Sequence, residues 1–228
     1  MKSWHENGNL KSIQQFNKYG IEIGTSYQYY EDGQIELISI FEDKNRRERY
    51  PSRGKKNGWQ QWFHPNGQIR TALHFSNGKI DKDYVREYYP SGQLKAEGTI
   101  DVHYPYSSPI IIKKGLWKHY YENGLLFSQG EFTPTYYTQC CPSGPCQIYY
   151  SYKSGLWVYL HSNETLVGSG MYFNYQDHIR TSCGVGDVKT YSKTTADWII
   201  KSNDGNIESS DYLNRSVITI ENARADFY

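Results

Sequence analysis

The sequence predicts an all-β fold: tandem β-hairpin repeats forming an elongated, twisted antiparallel sheet. Three observations predict it. An octet of aromatic, polar and glycine residues recurs along the chain. Tyr is 23 and Gly 20 of 228 residues, and the first suits strands while the second suits turns. Apolar residues flank the turn signals with almost no helical period.

The octets read WHENGNLK from Trp4, YYEDGQIE from Tyr29, FHPNGQIR from Phe63, YYPSGQLK from Tyr88 and YYENGLLF from Tyr120. Their anchor glycines are Gly8, Gly33, Gly67, Gly92 and Gly124. A degenerate sixth copy starts at Leu160, with Glu164 in the glycine position, and a weak seventh centres on Gly205. Other columns agree. Leu10, Ile35, Ile69, Leu94, Leu126, Leu166 and Ile207 lie two residues after each anchor. Phe16, Phe41, Phe75, Ile100, Phe132, Tyr172 and Leu213 lie eight after. Gly98, Gly130 and Gly170 lie six after in the later copies, and Gly24, Gly58, Gly115 and Gly155 nine before.

Each copy reads as a hairpin. Asn-Gly or Ser-Gly supplies the positive φ that a two-residue primed turn needs. With Asn123-Gly124 as the loop, Tyr121 is expected opposite Leu126, Trp117 opposite Gly130, and Trp157 opposite Gly170. An indole laid over a glycine covers backbone that glycine leaves bare. The face carrying Leu126 and Phe132 is expected to be the buried one. The other face is expected to carry Tyr29, Phe63, Tyr88, Tyr120 and Leu160, beside Glu36, Arg70 and Lys95. That column is either a wet sheet face or a binding face.

A lone hairpin cannot bury its apolar face, but stacked hairpins can. The shortest spacing, Gly8 to Gly33, is 25 residues, and longer spacings gain their excess after the Phe16/Phe41 column. Connectors are therefore expected at 42–57, 101–114, 133–154 and 173–195, along one edge of the array. Residues 1–172 form the hairpin repeats. Residues 173–228 form a degenerate last repeat and a C-terminal cap, with a closing strand in SVITIENARADFY.

Composition narrows the function. Lys plus Arg is 25 and Asp plus Glu is 24, so no global charge favours nucleic acid. No apolar run approaches the roughly 18 residues of a spanning helix. The first ten residues contain no hydrophobic signal region, so a cytoplasmic location is expected.

The octets and trailing Leu, Gly and Phe columns resemble the MORN-variant repeat, a solenoid-like unit, and among its families the bacterial YwqK-like antitoxins of toxin–antitoxin pairs. The resemblance covers about residues 4–172. It implies a non-catalytic, elongated β protein that binds and neutralises a toxin. The chain departs from the pattern in its long inserts and degraded last copies. It also begins almost inside a repeat, which points to a further unit upstream. The family motif carries no catalytic residue to transfer.

Each chemical candidate has a plainer reading. Cys140, Cys141 and Cys146 sit on a Gly/Pro turn, with Cys183 downstream. They are zinc ligands, a disulfide if the chain is exported, or free thiols; free thiols are the expectation, because paired knuckles are absent. The basic segment 42–57, with Arg46, Arg47 and Arg49, is a solvated connector or a contact for an acidic partner. His5, His64 and His161 share a column with Tyr30, Tyr89 and Tyr121, which makes them structural rings. No nucleophile elbow, phosphate loop or paired-carboxylate motif is visible. The expectation is therefore no enzyme, no cofactor and no metal. The function expected is protein binding, most simply occlusion of a toxin by Tyr29, Phe63, Tyr88 and Tyr120 or by Arg46, Arg47 and Arg49. Two rivals stand: an adhesive or structural scaffold for another protein or a membrane surface, and an enzyme or ligand-sequestering protein built from the inserts.

Overall fold

The computed structural model describes residues 1–42, 54–105, 109–142, 144–163, 166–179, 187–195, 199–201 and 207–208. Among them every regular element is a strand. The chain divides into two compact units, residues 1–111 and 112–228.

The first unit holds β1 (Lys2–Trp4), β2 (Leu10–Phe16), β3 (Glu22–Tyr29), β4 (Ile35–Phe41), β5 (Gly58–Phe63), β6 (Ile69–Ser76), β7 (Lys79–Ile80), β8 (Tyr84–Tyr88) and β9 (Leu94–His103). Each strand pairs antiparallel with the next, except that β7 folds back on β6 and β8 continues the path. The second unit takes most of β10 (Ile110–Tyr120), then β11 (Leu126–Cys141), β12 (Gly144–Leu160), β13 (Leu166–Ile179), β14 (Asp187–Thr194), β15 (Ile199–Lys201) and β16 (Ile207–Glu208). Here β10 to β13 pair in order, and both β14 and β15 pair with β13.

The anchor turns differ from the expected two-residue primed type. Gly124 N–H donates to Tyr121 O at 2.9 Å, and Tyr121 N–H donates to Leu125 O at 2.8 Å. The same pair of bonds closes the turns at Gly8, Gly33, Gly67 and Gly92. Their φ values run from 82° to 87°. Each is thus a three-residue loop whose glycine takes the left-handed position after a tight turn. The Asn17–Gly20 turn between β2 and β3 repeats it, with φ 75° at Gly20. A two-residue primed turn does occur at Asn77–Gly78, with φ 50° and 84°, between paired Ser76 and Lys79. The turn of the Glu164 copy lies outside the described residues.

The longer loop shifts register. Trp117 pairs with Gly130 and Trp157 with Gly170, as expected. Nearer the turn a bulge intervenes, and Leu126 pairs with Tyr120 rather than Tyr121. Trp4–Leu10, Tyr29–Ile35, Phe63–Ile69, Tyr88–Leu94 and Leu160–Leu166 repeat this pairing. Directly paired residues share a face. The Leu/Ile column therefore lies on the aromatic column's side, and the expectation that it shares Phe132's buried face is corrected. One extra residue exchanges the faces of a strand end.

The packed face carries the columns farther from the turns. In the first unit Phe41, Leu73, Phe75, Val85, Ala96 and Ile100 are buried. In the second, Trp117, Trp157, Tyr159 and Tyr172 are buried. Trp117, His119, Trp157 and Tyr159 lie ring against ring across strands, with successive planes 24° to 28° apart. Gly130 makes room for this: a Cβ there would stand 2.2 Å from the Trp157 ring.

The inserts are structured where they are described. Residues 133–154 continue β11 and β12 as one long hairpin, paired to Cys141–Gly144. Residues 172–179 and 187–194 pair as a second hairpin. The two pack together: Tyr150 Oη donates to Thr190 O at 2.8 Å and accepts from Thr190 N–H at 2.7 Å. One tyrosine hydroxyl thus satisfies both backbone groups of Thr190 on the edge of β14.

Candidate functional site on the outer sheet face

The face opposite the packed one begins at the turns with Tyr29, Phe63, Tyr88 and Tyr120. All four are half-buried, beside Ile35, Ile69, Leu94 and Leu126. Their backbone takes part in joining the copies. His5 Nε2 lies 2.8 Å from Tyr29 O, and His64 Nε2 lies 2.8 Å from Tyr88 O. Tyr30 Oη donates to Phe63 O at 2.7 Å, and Tyr121 Oη donates to Leu160 O at 2.9 Å. His5, Tyr30, His64 and Tyr121 therefore each clamp their turn to the strand end of a following copy, the structural role expected of this column.

Where asparagine precedes the glycine, at Asn7, Asn66 and Asn123, it makes a second clamp. Asn123 Oδ1 accepts from Leu125 N–H at 3.0 Å, which closes its own turn. Its amide donates to Ser162 O of the next turn at 3.4 Å. Asn66 does the same, with Pro90 O at 2.6 Å, and Asn7 with Glu31 O at 3.0 Å. Asp32 keeps only the local bond, to Gln34 N–H at 3.0 Å, because a carboxylate has no amide to donate. Asn thus serves two turns where Asp serves one.

Burial pushes the Tyr121 hydroxyl above its ordinary value. Burial does the same for Tyr30, with the Glu36 carboxylate adding to it. Both rings stay protonated, and so stay donors, across the neutral range.

Four residues farther from each turn on this same face stands a column that the sequence reading missed. In the first unit it holds Trp59 and Tyr84, at 42% and 53% exposure, and in the second Leu116 and Leu156, at 51% and 58%. Counting back by twos from the half-buried column was the signal that could have found it. In the first unit Trp59 meets His74 edge-on, with ring centroids 5.0 Å apart, and Lys82 Nζ lies 4.7 Å over its ring. Arg86 lies 5.7 Å over Tyr84 and pairs with Glu97 at 3.1 Å. Burial, and then the Glu97 carboxylate, raise the Tyr84 hydroxyl.

Arg46, Arg47 and Arg49 lie outside the described residues. The cysteine cluster is corrected from free thiols: Cys141 and Cys146 form a disulfide, with Cα atoms 5.9 Å apart, and Cys140 is disulfide-bonded too. That removes these sulfurs from any ligand set. Among the described residues no group of three or more His, Cys, Asp or Glu converges as a metal site. No helix among them is long and apolar enough to cross a membrane.

Five stretches, residues 1–18, 22–43, 56–80, 84–101 and 113–133, match the MORN repeat variant. Residues 1–133 carry five MORN-variant repeats. The matches coincide with the first five copies and stop before the Glu164 copy. No curated protein matches the chain. The MORN-variant motif acquires a physical reading here. Its glycine takes the left-handed turn position, its asparagine bridges two turns, and its aromatic or His before them clamps the next strand.

Proposed function

We propose that this MORN-variant protein is a non-catalytic scaffold whose partner is another protein. In its finer form, the partner is a toxin that it covers and silences, as an antitoxin or immunity protein does. The observation that supports binding is the exposed side chain at one repeat position within each unit, Trp59 and Tyr84 in the first and Leu116 and Leu156 in the second. Large rings and Leu side chains held on rigid strands offer contact area with little rotamer entropy to lose. The toxin reading rests on the resemblance of the repeats to YwqK-like antitoxins.

The test is co-purification from native lysate, followed by reconstitution with the purified partner. A stoichiometric complex in which the partner loses its activity is expected. A complex that leaves the partner active removes the toxin reading. Turnover of a substrate by the chain itself, with no protein bound, removes the scaffold reading as well.

A further inference from the structure

We propose that the outer face of the second unit, centred on β13 and β14, is the docking surface, and that it takes an apolar protein patch rimmed by carboxylates. This rests on the protein-binding reading above. Leu156 pairs with Met171, and β13 then presents Phe173 and Tyr175 on the same side, with Tyr191 opposite Tyr175. These five side chains are 58%, 44%, 43%, 46% and 38% exposed. A run of large apolar groups of this size marks an interaction surface on a soluble protein.

Charge selects the occupant. Lys193 pairs across from Phe173, and its Nζ lies 5.9 Å from the Tyr175 ring. Lys189, half-buried, holds its Nζ among three rings, 4.8 Å from Tyr137, 5.2 Å from Tyr191 and 5.7 Å from Tyr150. Two ammonium groups held over aromatic faces are placed for carboxylates arriving with an apolar centre. A lipid surface fits less well. Exposed Glu131, paired across from Leu116, and Asp177, paired across from Lys189, share this face. Hydrocarbon offers them no hydrogen-bond donor, whereas a protein surface can.

The experiment uses the immobilised full chain, panned with random linear peptides displayed on phage. Selected peptides are expected to combine Trp, Phe or Leu with several Asp or Glu. Synthetic copies should lose about tenfold or more in affinity on Lys189→Glu/Lys193→Glu and on Phe173→Ser/Tyr175→Ser. Tyr136→Ser, exposed on the other hairpin, should change nothing. Lys193→Glu alone, at an exposed side chain, should leave the melt unmoved, so that its loss of affinity reads binding alone. Peptides without acidic residues, or affinities insensitive to both pairs, overturn this surface while leaving a protein-binding scaffold. Phosphatidylserine vesicles that bind with the same residue dependence overturn it in favour of a membrane. Sedimentation as a dimer that either pair abolishes overturns it in favour of a second copy. Failure to select any peptide, together with no partner in native co-purification, removes the reading beneath it too.

Discussion

The two units fill the same slot of the repeat in different ways. Seven residues before the anchor, the first unit has Ser26, Gln60 and Val85, paired with Ser39, Leu73 and Gly98. The second has Trp117 and Trp157, paired with Gly130 and Gly170. A small pair, a medium pair, or an indole paired with a glycine each close the packed face. The residue four earlier follows suit. Ser26 Oγ donates to Glu22 Oε1 at 2.6 Å, and Lys56 Nζ bonds Gln60. Lys113 Nζ stands 4.2 Å over the Trp117 ring, and Lys153 Nζ 4.8 Å over Trp157. The repeat therefore specifies a volume and a partner type rather than a residue. Polar slots are completed by hydrogen bonds and indole slots by a cation on the ring.

The largest test of that comparison is truncation. Trp157→Ala should cost about 3–5 kcal/mol, because a buried indole leaves a cavity beside Phe132, Tyr159 and Tyr172. Ser26→Ala should cost about 1 kcal/mol, the usual net worth of one hydrogen bond. Denaturant titration of both variants reads the difference. Equal costs would mean that the slots are energetically alike.

Two glycines sharpen it next. Gly130→Ala meets the rigid Trp157 ring at 2.2 Å and should cost about 3 kcal/mol. Gly67→Ala meets nothing within 4 Å, and only its φ of 82° resists, at about 1–2 kcal/mol. In Trp157→Ala the Gly130→Ala penalty should shrink sharply while that of Gly67→Ala stays. A double-mutant cycle showing no coupling between Gly130 and Trp157 would refute the steric account.

A smaller effect separates the tyrosine clamps from the histidine clamps. The Tyr30 and Tyr121 hydroxyls titrate above the ordinary value of 10.0 in the fold. The unfolded chain then releases those protons first as pH rises. Their contribution is whole below about pH 10 and is lost as pH climbs through the raised values. Tyr121→Phe should cost about 1 kcal/mol at neutral pH and make the alkaline fall in stability shallower. Melts from pH 8 to 11 (roughly the range in which tyrosine begins to ionise) check this.

The smallest effect should come from Asn66→Asp. The turn bond to Gln68 N–H survives and the bridge to Pro90 O does not, as Asp32 already shows at its own turn. A loss of about 0.5–1 kcal/mol is expected by chemical denaturation. Separately, thiol titration of native protein should find Cys141 and Cys146 unreactive until a reductant is added. Reactive thiols at the outset would place the chain in a reducing compartment, in keeping with the cytoplasmic expectation.

Much of this architecture was readable from the repeat. The Trp117–Gly130 and Trp157–Gly170 pairs followed from counting outward from a turn, since strand pairing has a fixed step. The weak seventh copy at Gly205 is supported by its pairing: Lys201 meets Ile207 as Tyr29 meets Ile35, and Ile200 meets Gly168 as Trp62 meets Leu37. The site was less legible. Tyr29, Phe63, Tyr88 and Tyr120 look exposed from period alone, yet all four are half-buried. The more exposed Trp59 and Tyr84 lie on the same strands, four residues away.

What the sequence by itself determined was local: where strands stop, which glycine turns, and which indole needs a glycine opposite it. Those choices depend on φ, on side-chain period and on volume within a few residues. The tertiary structure decided which face Leu126 joins, because the bulge beside it adds one residue that no period announces. It also decided that His64 and Asn66 reach the next copy, 24 residues on, because a carbonyl acceptor leaves no trace in the sequence that supplies it. And it turned the expected loops at 133–154 and 173–195 into paired hairpins that present Tyr175 and Tyr191, since long-range packing against Tyr150 and Lys189, not local propensity, holds that edge.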